Sequence, residues 1–192
     1  MPAATVHRLK ITLRGIRPPI WRRIEVPSNL TLSELSAVLE AAMGWLGGHL
    51  HAYDAGGVTY QQPDDFDSPF GRRTIDERKA RLGKVLPTAG AKMTFDYDFG
   101  DGWQHDVIVE AVGPAEPNLT YPRCVTGRRA CPPEDCGGTW GYGELLEILA
   151  DPNHAEHAER LEWCGGSFDP DEFDIDSTTT AMQHAEAWEP DF

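Results

Sequence analysis

Two histidine-containing segments hold residue types that general acid–base catalysis or metal binding requires. His49 and His51 are separated by one residue, so both imidazoles lie on one face of a strand. Asp98 and His105 become opposed across a hairpin if Asp101-Gly102 forms its two-residue turn. A carboxylate beside an imidazole raises the histidine pKa and fixes its tautomer. The predicted catalytic cluster is therefore His49, His51, Asp98 and His105, with Asp101 and Trp103 beside them.

The same residues also have an ordinary structural interpretation. Histidines spaced two apart occur on partly exposed strand faces, and Asp98 with His105 equally describes a surface ion pair. Two histidines do not complete a metal site, so metal chemistry here needs at least one further ligand. Both interpretations stay open at the level of sequence.

Three cysteines in a segment rich in proline and glycine form a second candidate metal site. Cys124, Cys131 and Cys136 are spaced C-x6-C-x4-C, and three thiolates with a fourth ligand make a structural zinc site. Candidates for that unknown fourth ligand are Cys164, His154 and His157. The spacing lacks the C-x2-C pair of zinc knuckles, so reduced, packed thiols or a redox pair are the alternatives. Zinc is the one cofactor that the sequence suggests.

Charge is distributed very unevenly along the 192 residues. The chain carries 17 basic and 31 acidic residues, a net charge of −14. Residues 1–30 hold six basic residues and one acid (+5), whereas residues 134–192 hold one basic residue and sixteen acids (−15). The overall acidity argues against broad nucleic-acid binding. A local anionic ligand or an unknown partner protein is expected at a basic face formed by Arg14, Arg17, Arg22 and Arg23, with charge pairing inside the fold as the alternative.

The elements that position these residues can be predicted from periodicity and capping. Thr31 to Glu34 is a capping box that starts an amphipathic helix ending near Gly44. Alternating or turn-flanked segments predict strands at 6–13, 20–26, 49–53, 58–60, 92–99 and 103–112. A short helical turn is predicted at 82–86, and helices at 142–150, 151–163 and 177–187. We therefore predict an α+β fold with a mainly antiparallel sheet of five or six strands, helices packed on it, and a helical C-terminal part.

Domain organisation and compartment follow from length and composition. The length suits one domain at 1–190, in which 113–140 is a Cys/Pro-rich loop and 141–190 a helical acidic portion. No apolar run reaches the roughly 18 residues of a membrane span, and the first residues lack a signal-peptide pattern. A cytoplasmic protein without membrane contact is expected. Phosphate-binding loops, dinucleotide fingerprints, H-E-x-x-H and G-x-S-x-G are missing from the sequence.

Several segments together resemble one protein family. They are Leu9–Leu13 with Arg17–Arg23, Gly48–Tyr53, Tyr97–His105, Ala130–Gly138, Asp151–His154 and Phe168–Pro170. With these segments the chain resembles the plasmid pRiA4b ORF-3-like family, which includes insertion-element passenger proteins of the TnpR type. The resemblance covers nearly the whole chain and implies a single α+β domain linked to plasmids or mobile elements.

Two functions compete on these observations. The first is a non-catalytic binding or accessory module, favoured by the charge asymmetry and by the missing catalytic motifs. The second is a metal-dependent hydrolase-like enzyme that uses His49, His51, Asp98 and His105 around one ion. We favour the first, and the sequence leaves open whether the protein is an enzyme.

Overall fold

A computed structural model describes residues 4–62 and 74–187 of the chain. It is a single mixed α+β domain with one eight-stranded sheet in the order β5-β4-β3-β6-β7-β1-β2-β8. The strands are β1 (Thr5–Leu13), β2 (Trp21–Pro27), β3 (His51–Ala55), β4 (Val58–Gln61), β5 (Thr74–Asp76), β6 (Lys92–Tyr97), β7 (Trp103–Pro114) and β8 (Arg123–Arg128). The helices are α1 (Leu32–Met43), α2 (Leu82–Val85), α3 (Gly138–Ala150), α4 (His157–Trp163) and α5 (Ile175–Gln183), and a 3-10 turn spans Glu77–Lys79.

The predicted fold class is confirmed, but the sheet has more strands than the predicted five or six. β8 lies inside the segment predicted as a loop at 113–140, where it pairs antiparallel with β2. Its proline-rich flanks conceal a strand whose partner is distant in sequence, so local signals did not reveal it. β5 is a three-residue strand that pairs parallel with β4. Most of the polar loop predicted before it lies outside the described residues.

Helix α1 confirms the prediction from its capping box. The Thr31 hydroxyl accepts from the Glu34 backbone N–H, and the Glu34 carboxylate accepts from the Thr31 backbone N–H. Gly44 ends the helix in the left-handed conformation at φ 90°. The apolar side of α1, with Leu35 and Leu39, is buried in the core that covers one face of the sheet.

The β6–β7 hairpin has a longer turn than the sequence predicted. Tyr97 pairs with Trp103 and Phe95 pairs with His105, so five residues, 98–102, form the connection. The predicted pairing of Asp98 with His105 is therefore wrong. Asp98 adopts a left-handed conformation at φ 53°, so β6 ends at Tyr97, two residues earlier than the alternation predicted, and Phe99 is exposed.

The C-terminal part is helical, with shifted boundaries. α3 begins at Gly138, four residues before the predicted start. Asp151 is the C-cap of α3 and not the N-cap of α4, since its carboxylate accepts from the Asn153 backbone N–H in a turn between the two helices. Across the described ranges, the helices are too short or too polar to cross a membrane.

Candidate functional site

His49, Asp98 and Asp135 come together from three separate segments of the chain. His49 Nδ1 lies 3.8 Å from a carboxylate oxygen of Asp98, and His49 Nε2 lies 3.7 Å from one of Asp135. One ligand atom from each residue lies within 4.8 Å of the others. Asp98 is nearly buried, His49 is about one-third exposed, and Asp135 is open to solvent. We call these three residues the His49 cluster.

The turn between β6 and β7 fixes the position of Asp98. Its backbone N–H donates to the Leu50 carbonyl at 3.0 Å, which ties the turn to the residue after His49. Its carboxylate accepts from the backbone N–H of Gly100 at 2.9 Å. These contacts hold one carboxylate oxygen in the turn, while the other oxygen faces His49.

His51 lies apart from this cluster, in a buried group with Glu40 and Glu77. Its Nε2 lies 3.0 Å from both Glu77 oxygens, and its Nδ1 lies 3.5 Å from Glu40. Burial opposes charge on His51, but the hydrogen bond and charge of Glu77 outweigh it and raise the His51 pKa. Burial, together with Glu77 and Glu134, raises the Glu40 pKa to about 7. This group lies in the interior of the fold and offers no open side.

His105 also lies in the core, away from the His49 cluster. Its Nδ1 is 3.1 Å from the Phe95 carbonyl, and its ring meets the Trp45 ring edge-on at 5.4 Å. Complete burial lowers the His105 pKa to about 4, so the ring is neutral near pH 7. Trp103 is buried beside Trp45, with ring centroids 5.9 Å apart. The structure therefore keeps His49 and Asp98 together and separates His51 and His105 from them.

A groove adjoins the His49 cluster between the end of α1 and helix α5. Its volume is about 630 Å³. Apolar residues lining it are Met43, Trp45, Leu46, Phe168, Phe173 and Ala181. Carboxylates lining it are Glu134, Glu172 and Asp174. We call it the α1–α5 groove.

Trp45 and Glu134 connect the groove to the cluster. The Trp45 ring stacks on Tyr97 at 4.8 Å, and its Nε1–H donates to the Pro132 carbonyl at 2.9 Å. The Tyr97 hydroxyl donates to Glu134 at 2.7 Å, and Asp135 follows directly. Burial, the hydrogen bond to Glu134 and nearby carboxylates raise the Tyr97 pKa. The sequence reasoning missed Trp45, Tyr97 and Glu134 as site residues. Tyr97 and Glu134 lie in two of the segments that resemble the family, whereas Trp45 lies in none of them.

Two known proteins are similar to this chain over most of its length. "Uncharacterized protein y4hQ" of Sinorhizobium fredii is 44% identical over 165 residues, covering 85% of this chain and 83% of that protein. The crystal structure of a protein of unknown function, MM3350 from Methanosarcina mazei Go1, has a TM-score of 0.81 at 36% identity, covering 91% of this chain and 97% of that one. The family model described as plasmid pRiA4b ORF-3-like protein matches residues 5–177. The chain belongs to this family.

In this member of the pRiA4b ORF-3-like family, the three predicted zinc ligands have different surroundings. Cys124 faces the carbonyls of Arg23 and Thr126, while Cys131 receives a hydrogen bond from Arg22 at 3.2 Å. Burial raises the pKa of Cys131 to about 11, and burial together with Asp101 raises that of Cys136 to about 12. Within the described ranges, the His49 cluster is the group of His, Cys, Asp or Glu side chains whose ligand atoms lie close enough together to bind one ion. Cys124, Cys131 and Cys136 therefore do not meet at one centre.

Two of the four predicted anion-binding arginines of this family member pair with acids inside the fold, and a third binds backbone carbonyls. Arg14 binds Asp106, and Arg23 binds Glu110 with its Nη2 at 2.8 Å. Arg22 is buried and donates to the carbonyls of Ala42, Trp21 and Arg128. Arg17 is exposed. The predicted basic face therefore contains two ion pairs, Arg14 with Asp106 and Arg23 with Glu110, and both acids lie in β7 rather than in the acidic C-terminal part.

Proposed function

We propose that this protein is a non-catalytic binding module whose α1–α5 groove takes a basic, amphipathic segment of a partner protein. The observation that carries this proposal is the lining of the groove, which combines apolar side chains with three carboxylates and one cation, the buried Arg22. An amphipathic helix binds such a surface by placing its apolar residues in the groove. Its Lys or Arg side chains then pair with the carboxylates.

The exposure of the groove lining supports a macromolecular ligand. Leu46, one of the residues that line the groove, is 95% exposed. An exposed leucine next to an apolar groove extends the surface that a partner side chain can cover.

The charge around the groove favours a basic partner. Within residues 134–187, thirteen carboxylate side chains are exposed, and the one basic residue there, Arg160, pairs with Glu156. The negative electrostatic field of these carboxylates attracts positively charged segments and increases their rate of association with the protein. Two of the four arginines predicted to bind an anion, Arg14 and Arg23, already pair with acids, which favours a basic partner over an anionic one.

The hydrolase alternative has less support. It needs four residues around one ion, and only His49 and Asp98 adjoin each other, because His51 is held by Glu77 and His105 by the Phe95 carbonyl. We expect a cytoplasmic partner. The link to mobile elements of the TnpR passenger type remains a prediction from the family resemblance.

Binding of a model peptide tests the proposal. We expect a labelled Lys/Leu amphipathic helix of about 16 residues to bind the full chain at least about tenfold more tightly than a Glu/Leu helix of the same length, by fluorescence anisotropy. Ala181→Arg places a long cation inside the groove and should weaken binding at least about tenfold.

A matched variant separates groove binding from general attraction. Ala158 is an exposed alanine in α4 that is not part of the groove lining, so Ala158→Arg makes the same charge change elsewhere. It should change affinity by less than about twofold. Equal loss in both variants, or no loss in Ala181→Arg, contradicts the groove as the binding site.

A further inference from the structure

We propose that His49, Asp98 and Asp135 bind one divalent transition-metal ion. This site differs from both metal sites predicted from the sequence, since it replaces His51 and His105 with Asp135 and uses no cysteine. It also goes beyond the proposed function, because it assigns a metal ion to the His49 cluster beside the α1–α5 groove.

The distances in the cluster fit an ion better than direct hydrogen bonds. The two nitrogen–oxygen distances of 3.8 Å and 3.7 Å exceed the range of hydrogen bonds, roughly 2.7–3.2 Å. An ion about 2.0–2.2 Å from each ligand atom requires ligand atoms about 3–4 Å apart. It binds only one of the two His49 nitrogens, and one ligand atom from each of the three residues lies within 4.8 Å of the others. Asp135 is 73% exposed and can adjust to complete the coordination.

The charge balance points to a cation. Within the described ranges, neither Asp98 nor Asp135 forms an ion pair with Lys or Arg. Asp98 nevertheless keeps its carboxylate only 12% exposed, which is costly for a charge without a compensating cation. A divalent ion compensates both carboxylates at once.

The ligand types indicate which ions fit. Imidazole suits zinc and similar transition metals, and carboxylates extend the set to manganese. Three protein ligands leave further coordination positions for water or a bound group, as in open metal sites. The imidazole binds the ion through one of its two nitrogens, and each nitrogen has a carboxylate oxygen within 3.8 Å.

Mn²⁺ is the probe that isolates this site. Thiolates are poor ligands for Mn²⁺, so the four free cysteines do not compete as they would for Zn²⁺. We expect electron paramagnetic resonance titration of the full chain to show one bound Mn²⁺ per molecule. Added Zn²⁺ should then release it.

Three substitutions test the ligands. His49→Gln, Asp98→Asn and Asp135→Asn should each weaken Mn²⁺ binding at least about tenfold. Asp98 and Asp135 both have positive φ, which asparagine also tolerates, so neither change disturbs the backbone. Asp135 is exposed, so its variant remains informative even if an Asp98 variant folds poorly.

Asp101→Asn is the matched control. It removes one negative charge from the same turn as Asp98. The asparagine Oδ1 can still accept the hydrogen bond that the Gly137 N–H donates to the Asp101 carboxylate, so the contact between the turn and α3 is kept. Binding should change by less than about threefold. The proposal is overturned if Mn²⁺ does not bind, if binding survives all three ligand substitutions, or if Asp101→Asn weakens it as much as they do.

Discussion

The carboxyl group of Glu40 is buried beside His51 and Glu77 in the interior of the fold. One of its oxygens has no hydrogen-bond partner among the described residues. Burial raises its pKa to about 7, with Glu77 and Glu134 adding to the effect and His51 opposing it. The fold therefore contains an acid whose ionised form is disfavoured near neutral pH.

Replacing Glu40 should change how stability depends on pH. In wild type, the folded carboxyl holds its proton up to about pH 7, whereas the unfolded one releases it near 4.5, so this contribution to stability is lost as pH rises between them. Glu40→Gln removes that loss. We expect the free energy of unfolding of Glu40→Gln minus that of wild type, measured by urea denaturation, to increase by roughly 2–3 kcal/mol between about pH 5 and about pH 8.

The buried His105 also makes stability depend on pH, so Glu40→Gln has to be compared with wild type at each pH. Burial lowers the His105 pKa to about 4, so its contribution is present above about pH 6.5 and lost as pH falls, which opposes the trend from Glu40. Glu147→Gln, at an exposed position of α3, is the control and should show no pH-dependent difference. A pH-independent effect of Glu40→Gln would argue against a protonated buried carboxyl.

At the scale of elements, the β6–β7 turn anchors helix α3. The Asp101 carboxylate accepts from the Gly137 N–H, and the Asp101 carbonyl approaches Gly138 so closely that a Cβ there would lie 2.3 Å from it. Gly138 also has φ 67°, which L side chains rarely adopt. This contact joins the turn that carries Asp98 to the segment that carries Asp135.

Gly138→Ala should separate these two elements. The added methyl group collides with backbone and forces a strained φ, so we expect the free energy of unfolding to fall by roughly 2–4 kcal/mol. Gly143→Ala, in the same helix with open space around it, should be neutral or stabilising by about 0.5–1 kcal/mol. Equal values for the two variants in guanidinium denaturation would show that the close approach is unimportant.

Across the whole molecule, negative charge accumulates on the helical C-terminal part. The arginines of β1 and β2 pair with acids of the sheet, as in Arg8 with Glu25 and Arg23 with Glu110. Arg129 with Asp171 is one of the few pairs that reach the C-terminal part. Most of its carboxylates therefore repel one another across an exposed surface.

Salt should accordingly stabilise the protein. Raising NaCl from about 10 mM to about 500 mM shortens the screening length from about 30 Å to about 4 Å, and Tm should rise by several degrees in calorimetry. A variant with Glu147, Glu159 and Glu162 changed to Lys carries a net charge of −8 rather than −14, because each change adds two positive charges. Its salt response should be much smaller. A Tm that falls with salt in wild type would mean that the ion pairs outweigh the repulsion.

The sequence by itself determined the features that depend on local signals. The capping box fixed the start of α1, and alternation fixed the buried sides of β1 and β6, because helix caps and strand faces depend on neighbouring residues. The shared motifs identified the family. The histidine spacing and the hairpin also placed His49 and Asp98 in one predicted cluster, although the pairing predicted for Asp98 was wrong.

Only the tertiary structure decided which distant residues meet. A five-residue turn instead of a two-residue one moved His105 into the core and turned Asp98 toward His49. The strand β8 and the segment after it brought Asp135 to the same place, through contacts more than thirty residues apart in sequence. Such meetings depend on strand register and on the packing of separate segments, which no local pattern encodes.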